Sequence, residues 1–90
     1  MANKIDKHKK ICEELNSLYA RKNHDYGDSF HISFVEEGMA MPRIRIGDKF
    51  NRFKNLSRST KQEVNDESIR DTLIDLANYA IMTILEMENE

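Results

Sequence analysis

Cysteine is nearly absent from this sequence of 90 residues, in which Cys12 stands alone. One cysteine cannot form an internal disulfide, and His24 and His31 lack the paired spacing of zinc ligands, so a zinc site is not expected. Cys12 lies among apolar positions of a predicted helix, and we interpret it as a small, buried core residue. The first ten residues are polar and basic. They predict neither a secretory leader nor a membrane span, and they favour a cytoplasmic protein.

Glycine and proline are also scarce, with three glycines and one proline. The sequence has no P-loop, no nucleophile elbow and no dinucleotide-binding glycine fingerprint, which excludes the commonest nucleotide-binding folds. The formal net charge is only −2. We therefore expect no direct contact with nucleic acid, because general nucleic-acid binding needs a clear basic excess. With 39% hydrophobic residues in so short a chain, the core is thin, and we expect a homodimer or a larger homo-oligomer to complete it.

Apolar residues recur at three- and four-residue steps, and no segment is bounded like a strand, so we predict a single all-α domain over residues 1–90. The predicted bundle has three long helices and a short one, at about residues 4–22, 31–37, 43–57 and 66–87. A loop is expected over residues 23–30, and a polar linker over residues 57–65 leads to a cap at Asn65 or Asp66. Gly38 is expected to end the short helix. Pro42 suits the first turn of the next helix, where its missing N–H is not needed.

The fourth helix is apolar in nearly every direction over residues 73–85, so we expect it to pack on several sides at the centre of the domain. It also carries a polar stripe. Glu67, Asp71, Asp75 and Asn78 are spaced four, four and three residues apart, which places them on one face. Asp75 has apolar neighbours in the sequence, and a buried carboxylate is costly unless it is paired or coordinates a metal. Mg²⁺ or Mn²⁺ would remove that cost and also the repulsion between stacked carboxylates. A solvated helix face is the simpler interpretation.

The third helix has a predicted apolar face formed by Ile46, Phe50, Phe53 and Leu56. Its other faces supply basic candidates that complement the stripe. Asp48 and Arg52 are an opposite-charge pair four residues apart, which is typical of a surface ion-pair ladder. In the functional alternative, Asp48 adds a metal ligand and the basic residues of this helix bind phosphate: Arg45, Lys49 and Arg52. A third interpretation is a structural ion pair between one of these basic residues and the acidic stripe.

The loop after the first helix contributes further candidates. The run KNHDYGDSF, which begins at the last residue of that helix, contains Lys22, Asp25 and Tyr26. A tyrosine beside a glycine turn can stack on a base or cap the core. These residues therefore join the candidate nucleotide-binding set.

Three ordered blocks, KNHDYGDSF, RIGDKFNRFKNL and DESIRDTLIDLANYA, resemble the phage and bacterial family called nucleotide modification associated domain type 1. The resemblance covers about residues 8–86. That family is itself similar to the all-α nucleoside triphosphate pyrophosphohydrolases of the MazG type. These enzymes dimerise or tetramerise, hold Mg²⁺ with acidic residues on two facing helices, and release pyrophosphate. Asp75 matches an aspartate of those enzymes, whereas Thr72 replaces a glutamate and DKFNR replaces a glutamate-rich EExxE block.

The resemblance implies a nucleotide-binding protein with a metal-dependent (deoxy)nucleoside triphosphate pyrophosphohydrolase activity, or an accessory role in nucleotide modification. The implied catalytic residues are Asp71, Asp75 and Asp48, and the implied metal ligands are Glu67, Asp71 and Asp75. The implied nucleotide-binding residues are Lys22, Asp25, Tyr26, Arg45, Lys49, Arg52 and Asn78. The alternative is a module that binds a nucleotide or cyclic nucleotide without turnover, which a phage would use as a sponge against host defence. A purely structural accessory protein is the third candidate.

Overall fold

The structure, a computed structural model, describes residues 3–58 and 66–88, with the backbone alone for residues 66 and 67. These two ranges contain four helices and no strand: α1 (Lys4–Tyr26), α2 (Ser29–Glu37), α3 (Ala40–Arg58) and α4 (Asp66–Glu88). The predicted all-α class, with three long helices and a short one, is confirmed. In the described part of the chain, no helix is both long enough and apolar enough to cross a membrane.

The first helix begins and ends with clear capping signals. The side chain of Asn3 accepts a hydrogen bond from the backbone N–H of Asp6, which satisfies one of the free donors of the first turn. Gly27 adopts the left-handed conformation with φ of 60°, and its N–H donates to the carbonyl of Asn23. Asp28 is left-handed as well, with φ of 58°. These two residues form the whole connection between α1 and α2.

The predicted loop over residues 23–30 is therefore wrong at all but two positions. The first helix continues through Asn23, His24 and Asp25, because the helix propensities of these residues are only a few tenths of a kcal/mol worse than average. It ends where Gly27 can adopt the left-handed conformation. Ser29 and Phe30 already belong to α2.

The remaining helix boundaries agree with the predictions to within three residues. Gly38 ends α2 as predicted, and its N–H donates to the carbonyl of Phe34 at 2.7 Å. Pro42 lies in the first turn of α3 and is fully buried. Of the predicted linker, residues 57 and 58 belong to α3, whereas residues 59–65, including the predicted cap Asn65, lie outside the described residues.

The last helix packs against the other three, as its apolar character predicted. It runs antiparallel to α3, since Lys49 reaches Asp75 while Arg52, further along α3, reaches the earlier Thr72. The buried side-chain amide of Asn78 donates from Nδ2 to the backbone carbonyl of Leu15 on α1 at 3.2 Å. The bundle is thus held at its centre by polar contacts as well as by apolar packing.

The apolar core is thin. Among the described residues, the buried large apolar side chains are Leu15, Met41 and Ile74. Many other apolar side chains are exposed, including Ile81 and Ile84 on α4 at 46% and 52%. The radius of gyration is 14.9 Å. A compact domain of this length would have about 12 Å.

Two expectations about buried residues are wrong in the single chain. Cys12 is exposed, as are all the residues from 3 to 14, and its Sγ atom lies 3.7 Å from Nδ1 of His8. Phe50, assigned to the apolar face of α3 with Ile46, Phe53 and Leu56, is 48% exposed. The ammonium group of Lys54 lies 4.9 Å from the centre of the Phe50 ring and covers part of it.

Candidate functional site

A cavity of about 380 Å³ opens between all four helices. We call it the aromatic cavity, because the rings of four residues line it: Tyr19, Tyr26, Phe30 and Tyr79. The rings of Phe30 and Tyr79 stack, with centroids 6.0 Å apart and planes at 21°. Tyr26 is 67% exposed. This arrangement provides flat apolar surfaces for a planar ligand group.

Basic and polar side chains line the same cavity. Lys22 extends from α1 and Arg45 from α3, while the amides of Asn23 and Asn78 come from α1 and α4. A guanidinium group binds phosphate or carboxylate oxygens through two parallel hydrogen bonds, and an amide both donates and accepts. The cavity therefore combines positive charge, amide groups and aromatic surface.

Asp75 is held by two lysines at the wall of this cavity. Its Oδ2 atom accepts a hydrogen bond from Nζ of Lys49 at 3.0 Å, and its Oδ1 atom lies 3.6 Å from Nζ of Lys22. The Asp75 side chain is 26% exposed. An ion pair between the acidic stripe and a basic residue of the third helix was one of the open interpretations, and it is observed for Lys49. Lys22 on α1 adds a partner that was not predicted for this role. These contacts remove the cost of a partly buried carboxylate.

A second cavity, of about 370 Å³, shares Lys22 and Asp75 with the first. We call it the polar cavity, since Glu14, Arg21 and Asp71 are among its lining residues. Glu14 is fixed there by two hydrogen bonds from the guanidinium group of Arg70, at 2.6 and 2.9 Å. This bidentate pair lowers the pKa of Glu14, mainly through the hydrogen bond.

The structure thus brings together part of the predicted site. Lys22, Tyr26, Arg45, Asp75 and Asn78 line the aromatic cavity. Lys49 is connected to it through Asp75, and Asp71 lies in the polar cavity.

Other predicted residues lie elsewhere. Asp48 and Asp25 are exposed and line neither of the two cavities. Arg52 and Asp48, both in the described range, do not form the expected ion pair. Instead, Nε of Arg52 donates to Oγ1 of the buried Thr72 at 3.2 Å. The side chain of Glu67 lies outside the described residues.

Several lining residues were missed by the sequence analysis. Tyr19 and Asn23 precede Tyr26 at helical spacing, so that they share its face of α1. That signal was present in the sequence, but the predicted loop concealed it. Phe30 and Tyr79 meet only through the packing of α2 on α4, which no local pattern reveals.

A bound Mg²⁺ or Mn²⁺ ion needs several oxygen ligands close together. In the part of the chain that the structure describes, no group of three or more acidic, histidine or cysteine side chains is close enough to hold a metal ion. Both carboxylate oxygens of Asp75 face ammonium groups. The described side chains by themselves therefore do not fit Mg²⁺ or Mn²⁺. The metal role of Glu67, Asp71 and Asp75 stays a prediction.

An unpredicted ion pair fixes α2 beside the aromatic cavity. Nδ1 of His31 lies 2.5 Å from Oε1 of Glu86, whose side chain is only 9% exposed. The hydrogen bond to Glu86 and the charge of that carboxylate raise the pKa of His31. His31 directly follows Phe30, so the pair connects to α4 the same helix that carries the stacked ring.

The fold and the site define a small all-α protein with a basic and aromatic cavity between its helices. The chain belongs to the family Nucleotide modification associated domain 1, whose family model matches residues 22–87. This confirms the family that the three sequence blocks indicated. The matched range includes every residue named above as lining the aromatic cavity except Tyr19. Searches of curated proteins and of solved structures found no match.

Proposed function

We propose that the protein binds a nucleotide in the aromatic cavity. The observation that carries this proposal is the convergence of two basic side chains, Lys22 and Arg45, and four aromatic rings on one cavity. The rings offer stacking surfaces to a base, and stacking of this kind contributes about 1–3 kcal/mol per base. The basic groups neutralise phosphate, with arginine suited to a bidentate contact. Membership of a family associated with nucleotide modification supports the same ligand class.

The dimensions of the cavity are consistent with one nucleotide unit. Small-molecule sites generally enclose about 300–1,000 Å³, and the aromatic cavity, at about 380 Å³, is near the lower limit. Asn23 lines it with an amide that can both donate to and accept from a base edge or a sugar hydroxyl. In this arrangement, Tyr26 and the Phe30–Tyr79 stack contact the base, while Lys22 and Arg45 contact the phosphate.

Isothermal titration calorimetry with a nucleotide panel tests this proposal. The panel comprises nucleoside monophosphates, triphosphates and cyclic dinucleotides. We expect Tyr26→Ala to weaken binding roughly 5- to 150-fold, the equivalent of losing one base stack. The fold should be unaffected, because this ring is 67% exposed. Tyr26→Phe is the matched control and should bind like the wild type. Absence of binding across the panel, or equal affinity of Tyr26→Ala, would contradict the proposal.

A second candidate function is metal-dependent pyrophosphohydrolase activity on a nucleoside triphosphate. The observation in its favour is that three carboxylates, Glu14, Asp71 and Asp75, line the polar cavity next to Lys22, although they are not close enough to one another to hold a metal ion by themselves. This candidate needs further cation ligands beyond the described side chains, with Glu67 as the predicted addition. Incubation with Mg²⁺ and triphosphates should then release pyrophosphate, and Asp75→Ala should abolish the release. Binding without pyrophosphate release would favour the module without turnover, including the cyclic-nucleotide sponge.

A further inference from the structure

We propose that Asp75 is an internal competitor for the ligand's phosphate. In the free protein its carboxylate engages Lys22, the same ammonium group that a nucleotide phosphate would contact. This inference rests on the nucleotide-binding function proposed above. It adds that Asp75 sets the affinity of the aromatic cavity for negatively charged ligands.

The geometry of the two ion pairs supports this assignment. Each Asp75 oxygen faces a different ammonium group, one from α1 and one from α3. A carboxylate placed between two ammonium groups makes the contacts that two oxygens of a phosphate would make. Asp75 also lines both cavities, so a phosphate that reached Lys22 would lie beside this carboxylate.

The two lysines differ in how firmly they hold Asp75. Lys49 makes a hydrogen bond at 3.0 Å, and its side chain is 28% exposed. Lys22 lies at 3.6 Å, its side chain is 54% exposed, and it lines both cavities. A lysine ammonium is a compact charge on a flexible stem, so Lys22 can turn to a ligand while Lys49 keeps Asp75 in place.

The competition has an electrostatic consequence for ligand choice. Like charges within about 4–6 Å disfavour one another. Asp75 therefore opposes each negative charge that a ligand brings to Lys22, and it leaves an uncharged nucleoside unaffected. Removal of the Asp75 charge should strengthen the binding of a nucleotide, which is the opposite of the result expected if Asp75 were needed to hold a metal.

Calorimetry on Asp75→Asn with a nucleoside and its 5′-monophosphate tests the inference. The amide keeps a carbonyl acceptor for Lys49 and removes the charge. We expect the Kd of the monophosphate to fall about 10-fold, on the scale of charge interactions near a protein surface, and the Kd of the nucleoside to stay the same. Glu88→Gln is the matched control, since it removes the same charge at an exposed position of α4 that lines neither cavity. It should change either Kd by less than about twofold, because solvent and salt screen exposed charges.

Lys22→Gln provides a second variant that does not depend on the folding of Asp75→Asn. If Lys22 carries the phosphate contact, this variant lowers the preference for monophosphate over nucleoside. An unchanged preference shows that the Lys22–Asp75 pair only joins α1 to α4, and it overturns the inference. The inference is also overturned if a folded Asp75→Asn variant binds the monophosphate with the same or lower affinity than the wild type. The proposed function would still hold in that case, provided that the wild type binds a nucleotide. Failure of the wild type to bind any nucleotide would overturn both.

Discussion

The Nδ1 atom of His31 and the Oε1 atom of Glu86 lie 2.5 Å apart, so that one ion pair joins α2 to the C-terminal part of α4. The pKa of His31 is raised by this contact. A group whose pKa is higher in the folded state stabilises that state fully below its unfolded pKa, which is about 6.5 for histidine. The contribution then disappears as the pH rises through the raised pKa of the folded protein.

His31→Gln should therefore lower the Tm most at acidic pH. We expect the difference in Tm between the wild type and the variant to be largest below about pH 6.5 and to shrink on the alkaline side of the raised pKa. Thermal unfolding followed by circular dichroism across this range measures it. Glu86→Gln removes the carboxylate partner and supplies the control: in its background, His31→Gln should give no such trend. A difference that stays constant with pH would show that the charge of His31 contributes nothing.

Two glycine-to-alanine substitutions should have opposite effects on stability. Gly27→Ala places a side chain at φ of 60°, which we expect to cost about 1–2 kcal/mol. Gly47 lies inside α3, and a Cβ there would meet no heavy atom within 4 Å. Gly47→Ala should stabilise the protein by up to about 1 kcal/mol, since alanine has the higher helix propensity. Urea denaturation measures both changes, and effects of the same sign would contradict this account.

The Arg52–Thr72 contact gives a third stability prediction. Oγ1 of the buried Thr72 donates to the carbonyl of Ser68 and accepts from Nε of Arg52. Thr83 makes the same local bond, to the carbonyl of Tyr79. Thr72→Val should therefore cost about 1 kcal/mol more than Thr83→Val, the net value of one hydrogen bond. Equal costs in urea denaturation would show that the Arg52 contact contributes nothing measurable.

The exposed apolar stripe of α4 leads to a prediction about assembly. Ile81, Ile84 and Leu85 recur at three- and four-residue steps, and each is more than 40% exposed. We propose that a second copy of the chain covers this stripe, because a chain with so few buried apolar side chains gains stability from such a contact. Sedimentation should then give a multiple of the 10.6 kDa chain mass, and Ile84→Asp should lower it. A wild-type mass of one chain at high concentration would contradict this prediction.

Helical periodicity was sufficient to predict the fold class, the number of helices and most of their boundaries. It failed at the end of α1, where residues with turn chemistry continue the helix as far as Gly27. Because of that error, the face of α1 that lines the aromatic cavity was not recognised. With α1 extended to Tyr26, the face containing Tyr19, Lys22, Asn23 and Tyr26 becomes visible as one surface of a helix.

The contacts between helices were less accessible to sequence analysis. A lysine partner for Asp75 on the third helix was among the open interpretations, but Lys22 on α1 lies 53 positions away in the sequence. The same holds for His31 and Glu86, which are separated by 55 positions. No periodic pattern records which side chains meet when helices pack, since the relative rotation of two helices depends on the packing of all of them.

The two-residue corner at Gly27 and Asp28 has a consequence for the shape of the binding cavity. Tyr26 and Phe30 lie on either side of this corner, on α1 and α2, and both line the aromatic cavity. The distance between these two rings therefore depends on the backbone torsion angles of Gly27 and Asp28. An inserted residue at the corner would alter the width of the opening without replacing any side chain that lines it.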